Sequence, residues 1–249
     1  MDPQTPPKTL ARALAALERF AFGQRVLVLA VLGAFTLVMG FFALKLRMEA
    51  GFEKQMPIGH EYIKTFQQYR NQLFGANRLT FAVRSIDGKI WTKEGLTRLY
   101  DVTQAVMSMP NVDRLGVQSL WTSNSWVMEI TPEGFRNEQL IPNTVEPGAL
   151  TPERIEKIKQ TTTRGGFDGV LVGRDQSSAL ITVELNEYDR NGVKLDYIAY
   201  NRLLNERIRA KFEDAHFRIE IIGFAKQIGE IADGAQAVLV FCGVALLLV

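Results

Sequence analysis

RLTFAVRSIDGKIWTKEGLTRLYDVTQAVM, residues 78–107, changes its hydrophobic period halfway along, and that change decides the fold class. Leu79 to Ile86 carries the branched and aromatic residues of a strand. Asp87 and Gly88 mark a turn, and from Lys93 onward Leu96, Leu99, Val102 or Thr103, and Val106 recur at the spacing of a buried helix face. Pro110 ends that helix, and Val112 to Leu120 reads as the next strand.

Downstream, Pro132, Pro142, Pro147 and Pro152 punctuate a stretch with too little periodicity for long regular elements, which reads as an insertion. Thr151 followed by Pro152 and Glu153 reads as a helix start, with threonine as the cap and proline in the first turn, and the helix ends near Gly165. Val170 to Val172 and Ala179 to Leu185 form a hairpin pattern around polar residues that include Asp175. Tyr197, Tyr200, Leu204, Ile208 and Phe212 stripe the next helix, and Phe217 to Ile222 closes the set as a strand. Upstream, Tyr62, Ile63, Phe66, Tyr69, Leu73 and Phe74 give His60 to Phe74 the pattern of an amphipathic helix. The order of strand, helix, strand, insertion, hairpin, helix and strand predicts an α+β domain of ferredoxin-like, split βαβ type with additions.

Apolar runs flank that domain. Val26 to Leu44 spans 19 residues without a charge. As a helix it reaches about 28 Å, against a hydrocarbon core of about 30 Å. A cleaved signal peptide is the competing reading, but the 25-residue leader, the long apolar stretch and the lack of a small-x-small site after Leu44 favour an uncleaved anchor. The second run begins near Ala235 and continues to Val249, too short to cross and without a basic residue beyond it, so it predicts the start of a span whose remainder lies further along a longer chain. A short helix lying in the membrane interface is the blander alternative. The expected divisions are 1–25 as a cytoplasmic amphipathic segment, 26–44 as the first span, 45–234 as the extracytoplasmic domain and 235–249 as the truncated second span. In the first segment Leu10, Leu14, Leu17 and Ala21 share a helical face, as in a helix lying on a membrane or in a plain solvated extension. Lys8, Arg12, Arg19 and Arg25 before the span barely outweigh Lys45, Arg47 and Lys54 after it.

The chemistry excluded is equally informative. A net charge of +2, from 29 basic and 27 acidic residues spread along the chain, leaves no footprint for nucleic acid. Cys242 is the one cysteine and the histidines are His60 and His216, so a disulfide and an ordinary zinc site are both out of reach. Gly165, Gly166 and Gly169 in GGFDG lack the lysine of a phosphate loop, and no GxSxG elbow occurs, so neither a cofactor nor an enzymatic activity is expected.

Trp121, Trp126 and Phe135 fall in the insertion with Thr122, Ser123, Asn124 and Ser125 between the tryptophans. They read either as the lining of an apolar cargo pocket or, more ordinarily, as packing in the core or at a subunit contact. The run from Asn205 to Lys211 reads as a solvated helix face. Phe224, Ile228 and Ile231 share a helical face in the segment from Gly223 to Gly234, with Lys226, Glu230 and Asp233 elsewhere around it. That helix can continue into the second apolar run, with Gly229 and Gly234 as its weak points.

Several segments in order resemble the resistance-nodulation-division superfamily of exporters, in the branch of large membrane proteins that includes bacterial lipid exporters. They are GFEKQMPIGHEYIKTFQQYRNQLFGANR from Gly51, NVDRLGVQSLWTSN from Asn111, TPEGF from Thr131, LDYIAYNRLLNERIR from Leu195 and GFAKQIGEI from Gly223. The resemblance implies an N-terminal part of a proton-driven exporter in the bacterial inner membrane. It implies a cytoplasmic N-terminus and a periplasmic porter domain that receives hydrophobic or amphiphilic cargo such as lipids or drugs. The implied partners are the bilayer, the cargo, and the remaining transporter helices or further copies of the chain. Neither apolar run carries Asp, Glu, His, Lys or Arg, so the proton relay that the resemblance implies would lie on other helices. A two-span receptor with a periplasmic ligand-binding domain is the alternative, because it shares the topology.

Overall fold

The computed structural model describes residues 22–45, 59–69, 77–132, 134–189 and 191–248. The amphipathic pattern of residues 1–21, positions 70–74 of the helix expected from His60 to Phe74, and Val249 lie outside them. The chain divides into two units, residues 1–49 and 50–249.

In the first unit, helix α1 covers Arg25–Leu44, one residue earlier than its apolar run. Its large side chains from Val26 to Phe42 are exposed on every side, which suits lipid rather than a protein core. Its one hydroxyl in mid-run, Thr36, donates back to the Leu32 carbonyl at 2.9 Å and so leaves no polar group unpaired. Among the described residues two helices are long and apolar enough to cross a membrane, of which α1 is the first.

The second unit is α+β. Helix α2 covers Glu61–Tyr69. Strand β1, Arg78–Ser85, alternates strictly, with Leu79, Phe81, Val83 and Ser85 buried. Helix α3, Lys93–Met107, starts where Thr92 accepts from the Gly95 N–H at 2.9 Å, and it buries the face expected of it, Leu96, Leu99, Val102, Thr103 and Val106. Helix α4, Pro152–Arg164, starts on the expected Thr151 cap and stops at Gly165. Strands β2, Trp126–Thr131, and β3, Gly134–Gln139, come between α3 and α4 in the chain, and strand β4, Ser178–Glu184, follows α4. Helix α5, Tyr197–Leu204, runs on through a π-helical turn, Asn205–Arg209, and a last turn, Ala210–Phe212. Strand β5, Phe217–Gly223, leads directly into α6, Phe224–Leu248.

The main sheet has the order β4-β1-β5, with β1 antiparallel to both neighbours. Phe81 faces Ile181 on one side and Ile221 on the other. These strands bury one face, and its side chains join Leu96, Leu99 and Val102 of α3, Ile155 and Ile158 of α4, and Tyr200, Leu204 and Ile208 of α5 in a single core.

The structure differs from the sequence reading at four points. The strand expected at Val112 to Leu120 is reduced to two antiparallel bridges on the outer edge of β4, Val112 with Leu185 and Gln118 with Thr182. Between the bridges five residues on one side face two on the other, because Asp113 caps a turn: its carboxylate accepts from the Leu115 N–H and its carbonyl from the Gly116 N–H, lifting the chain off the edge. The hairpin expected from Val170 shrinks to one bridge, Val172 with Ala179. The insertion holds a second, two-stranded sheet that weak periodicity concealed: β2, Trp126–Thr131, pairs with β3, Gly134–Gln139. Finally, of the face expected to carry Phe224, Ile228 and Ile231, Ile228 is buried but Ile231 is exposed, and Lys226 is buried instead.

Candidate functional site

The β2–β3 hairpin is held from one side. In its register Val127 faces Glu138 and Glu129 faces Arg136, and this face turns toward α4. Val127 is buried, Arg164 pairs with Glu129 at 2.6 Å and with Glu138 at 3.5 Å, and Lys157 reaches Glu138 at 3.3 Å. Gly165 is required beneath it, since a Cβ there would lie 2.5 Å from Cγ2 of Val127. Because side chains alternate along a strand, the other face carries Trp126 opposite Gln139, Met128 opposite Asn137 and Ile130 opposite Phe135. Trp126, Met128, Ile130 and Phe135 are 43%, 54%, 84% and 77% exposed. The result is an apolar stripe on a braced ribbon, suited to contact with an apolar or amphiphilic partner.

The three aromatics expected to cluster do not come together. Trp126 and Phe135 sit on the same face but four pairs apart, a separation of about 14 Å along the strands. Trp121 belongs to the core: half-buried, it donates its indole N–H to the Leu96 carbonyl at 2.9 Å and stacks edge-on against Tyr100 at 5.0 Å. Behind it, Ser119, Thr122 and Ser125 form a buried hydroxyl chain that ties this turn to Thr103 of α3. Replacing Trp121 with Phe is therefore expected to cost about 1 kcal/mol, for the lost donor and the unpaired carbonyl. Replacing Trp126 and Phe135 together with Ser should change stability by under about 0.5 kcal/mol. Denaturant unfolding of the three proteins side by side checks both figures, and the placement fails if the order is reversed.

A cleft of about 700 Å³ opens between the end of α3 and the loop after β4, lined by Met109, Asn111, Val112, Leu115, Asn186 and Tyr188, among others. Its polar groups are largely engaged. Asn111, at φ 60°, donates to the Asn186 carbonyl at 3.0 Å, and Asp189 accepts from the N–H groups of Asn191 and Val193, each at 2.8 Å. Lining groups tied into their own turns supply shape rather than an acid–base pair.

Ionisable groups with displaced pKa values serve the scaffold. Asp214 is held below the ordinary carboxylate range, first by the His216 N–H, with the Phe217 N–H and the Arg98 charge adding to it. Burial pushes the Tyr200 phenol well above its usual value, and its hydroxyl has no partner among the described residues. Among the described residues no three His, Cys, Asp or Glu side chains stand close enough to hold a metal ion.

No protein-family model and no curated protein matches the chain.

Proposed function

We propose that the chain supplies the first porter domain of a proton-driven exporter of the resistance-nodulation-division type, in the large membrane protein branch. In this reading it works in the bacterial inner membrane with its N-terminus in the cytoplasm. The unit from α2 to Gly234 stands in the periplasm, where it handles hydrophobic or amphiphilic molecules, lipids or drugs among them.

The observation that carries the reading is the strand order. Taken along the chain, β1, the edge segment 112–118, β4 and β5 lie across the sheet as β5, β1, β4 and edge segment, each antiparallel to its neighbours. Helix α3 connects the first to the second and α5 the third to the fourth. This order supports reading the domain as a ferredoxin-like split βαβ unit whose second strand is broken and which takes the β2–β3 hairpin and α4 before its third. An apolar helix precedes this unit and another grows out of its last strand.

The division of labour follows from composition. Val26 to Ala43 and Ala235 to Leu248 carry no Asp, Glu, His, Lys or Arg. Proton coupling therefore falls to other membrane helices, and this chain contributes the cargo side. The apolar stripe of Trp126, Met128, Ile130 and Phe135 is the part of the domain suited to an amphiphile, while Trp121 serves packing.

Two measurements test this. Sequencing the coding region beyond the Val249 codon should reveal further apolar spans and a second domain of the same strand order. Charged heptads of a cytoplasmic coiled coil there would instead establish the two-span receptor. In cells, removal of the whole gene should slow protonophore-sensitive efflux of an amphiphilic dye severalfold, and equal efflux with and without the gene would count against transport.

A further inference from the structure

Lys226 is 3% exposed, one turn into α6, and lies among polar groups of α5. Its ammonium donates to Oδ1 of Asn201 at 2.8 Å and to Oδ1 of Asn205 at 3.1 Å, and pairs with Oε1 of Glu230 at 2.9 Å. An ammonium has three donors, and all three are used. Asn201, itself buried, donates its amide to Oδ2 of Asp233 at 2.9 Å. It also backs onto Gly229, where an added Cβ would lie 2.2 Å from that of Asn201. Gly229, one of the two weak points expected in this helix, is therefore a point of close helix contact within an unbroken α6 rather than a bend.

The spacing gives the cluster its geometry. Residues 226, 229, 230 and 233 form one stripe of α6, and 201 and 205 are neighbours one turn apart on α5. The π-helical turn of α5 begins at Asn205, at the level of this contact. Such turns recur where a helix must present side chains out of regular order. Beyond Asp233, α6 changes character: Val238, Leu239, Val240 and Phe241 are all exposed.

Two apolar helix faces can slip or rotate past each other and remain packed. A buried ammonium with three matched acceptors has one setting, because any other leaves a charge unpaired in the core. We propose that Asn201, Asn205, Lys226, Glu230 and Asp233 form a register lock, which fixes the rotation and height of α6 against the domain so that movement of its apolar half is delivered to α5 as movement of a rigid body. The inference rests on the reading that this half of α6 lies in the membrane, and the test separates the two.

The experiment uses the full chain in lipid nanodiscs, with spin labels on the native Cys242, exposed on α6, and on a Gln104→Cys substitution on the open face of α3. The native pair should give one narrow distance distribution. Lys226→Met, which keeps the volume and removes the charge, should broaden or displace it. Amide exchange over residues 224–234 should accelerate at least about ten-fold while exchange in β1, β4 and β5 is retained. Asn201→Ser, a milder change, should move both readouts the same way and stands in if Lys226→Met does not fold. Unchanged distances and exchange in folded variants overturn the lock. So does exchange that rises equally across the sheet, or loss of folding in both variants, since the cluster would then serve global stability. The ratio of oxygen to nickel-chelate accessibility of the Cys242 label reports separately on the membrane: a ratio as low as that of a label in water removes the bilayer from the reading and leaves the distance result interpretable.

Discussion

Gly223→Ala should lower the stability of the domain by about 3 kcal/mol or more, from left-handed backbone strain together with a backbone clash. Gly223 ends β5 at φ 146°, a conformation that L side chains rarely adopt. It sits opposite Leu79 in the register, so closely that a Cβ would lie 2.3 Å from the Arg78 carbonyl oxygen and 2.7 Å from Cδ2 of Leu79. Neither obstacle is a flexible tip, since one is backbone and the other is a fully buried leucine. Relief would require the start of β1 and the end of β5 to separate, at the point where the sheet hands over to α6. Gly234→Ala supplies the control: nothing lies within 4 Å of its added Cβ, and alanine is the better helix former, so this change should be neutral or slightly stabilising. Denaturant melts of both variants decide the matter, and a Gly223→Ala midpoint equal to that of the parent would show that the junction is looser than described.

Gly223 also marks a limit of what sequence can say. The strand before it and the helix after it are legible, because Phe217, Ile219 and Ile221 alternate and the apolar run beyond Ala235 is plain. The direct passage from a strand ending at Ile222 to a helical segment from Gly223 is legible as well, but that it turns on a single residue of unusual φ depends on the close approach of β1, which no local pattern encodes. The same distinction runs through the domain. Helix α4 was readable from its Thr151 cap, and α3 and α5 from stripes of buried residues, because these signals act within one element.

The β2–β3 hairpin was not readable, although Pro132 and Gly134 offered a turn signal. Its apolar residues face outward and its inner face is largely charged, the reverse of the pattern that marks a half-buried strand. Lys226 escaped for a related reason. A lysine in a helical stripe is read as solvated, and only the tertiary placement of Asn201 and Asn205 makes its burial tolerable. Of the aromatics singled out, Trp126 and Phe135 are where a partner can reach them, and Trp121 is where packing needs it.

Phe81→Ala should cost about 3–5 kcal/mol, the usual range for deleting a buried phenylalanine when its surroundings do not collapse into the space. Phe81 is among the largest fully buried side chains and lies at the middle of the central strand, with Ile181 and Ile221 beside it. Strands on both sides and helices over the top leave little freedom to fill the void. Ile222→Ala tests the asymmetry of the sheet, because Ile222 is one residue from Ile221 yet points to the open face, and its loss should cost under about 0.5 kcal/mol. In the proposed membrane-anchored reading the consequence is specific. Helix α1 belongs to a separate unit, so Phe81→Ala should leave the chain in the membrane fraction while exposing residues 77–223 to protease. Membrane retention with a protease-sensitive domain is the expected result; release of the chain from the membrane, or a cost below about 1 kcal/mol, would mean that the buried face of β1 is not the core on which the domain depends.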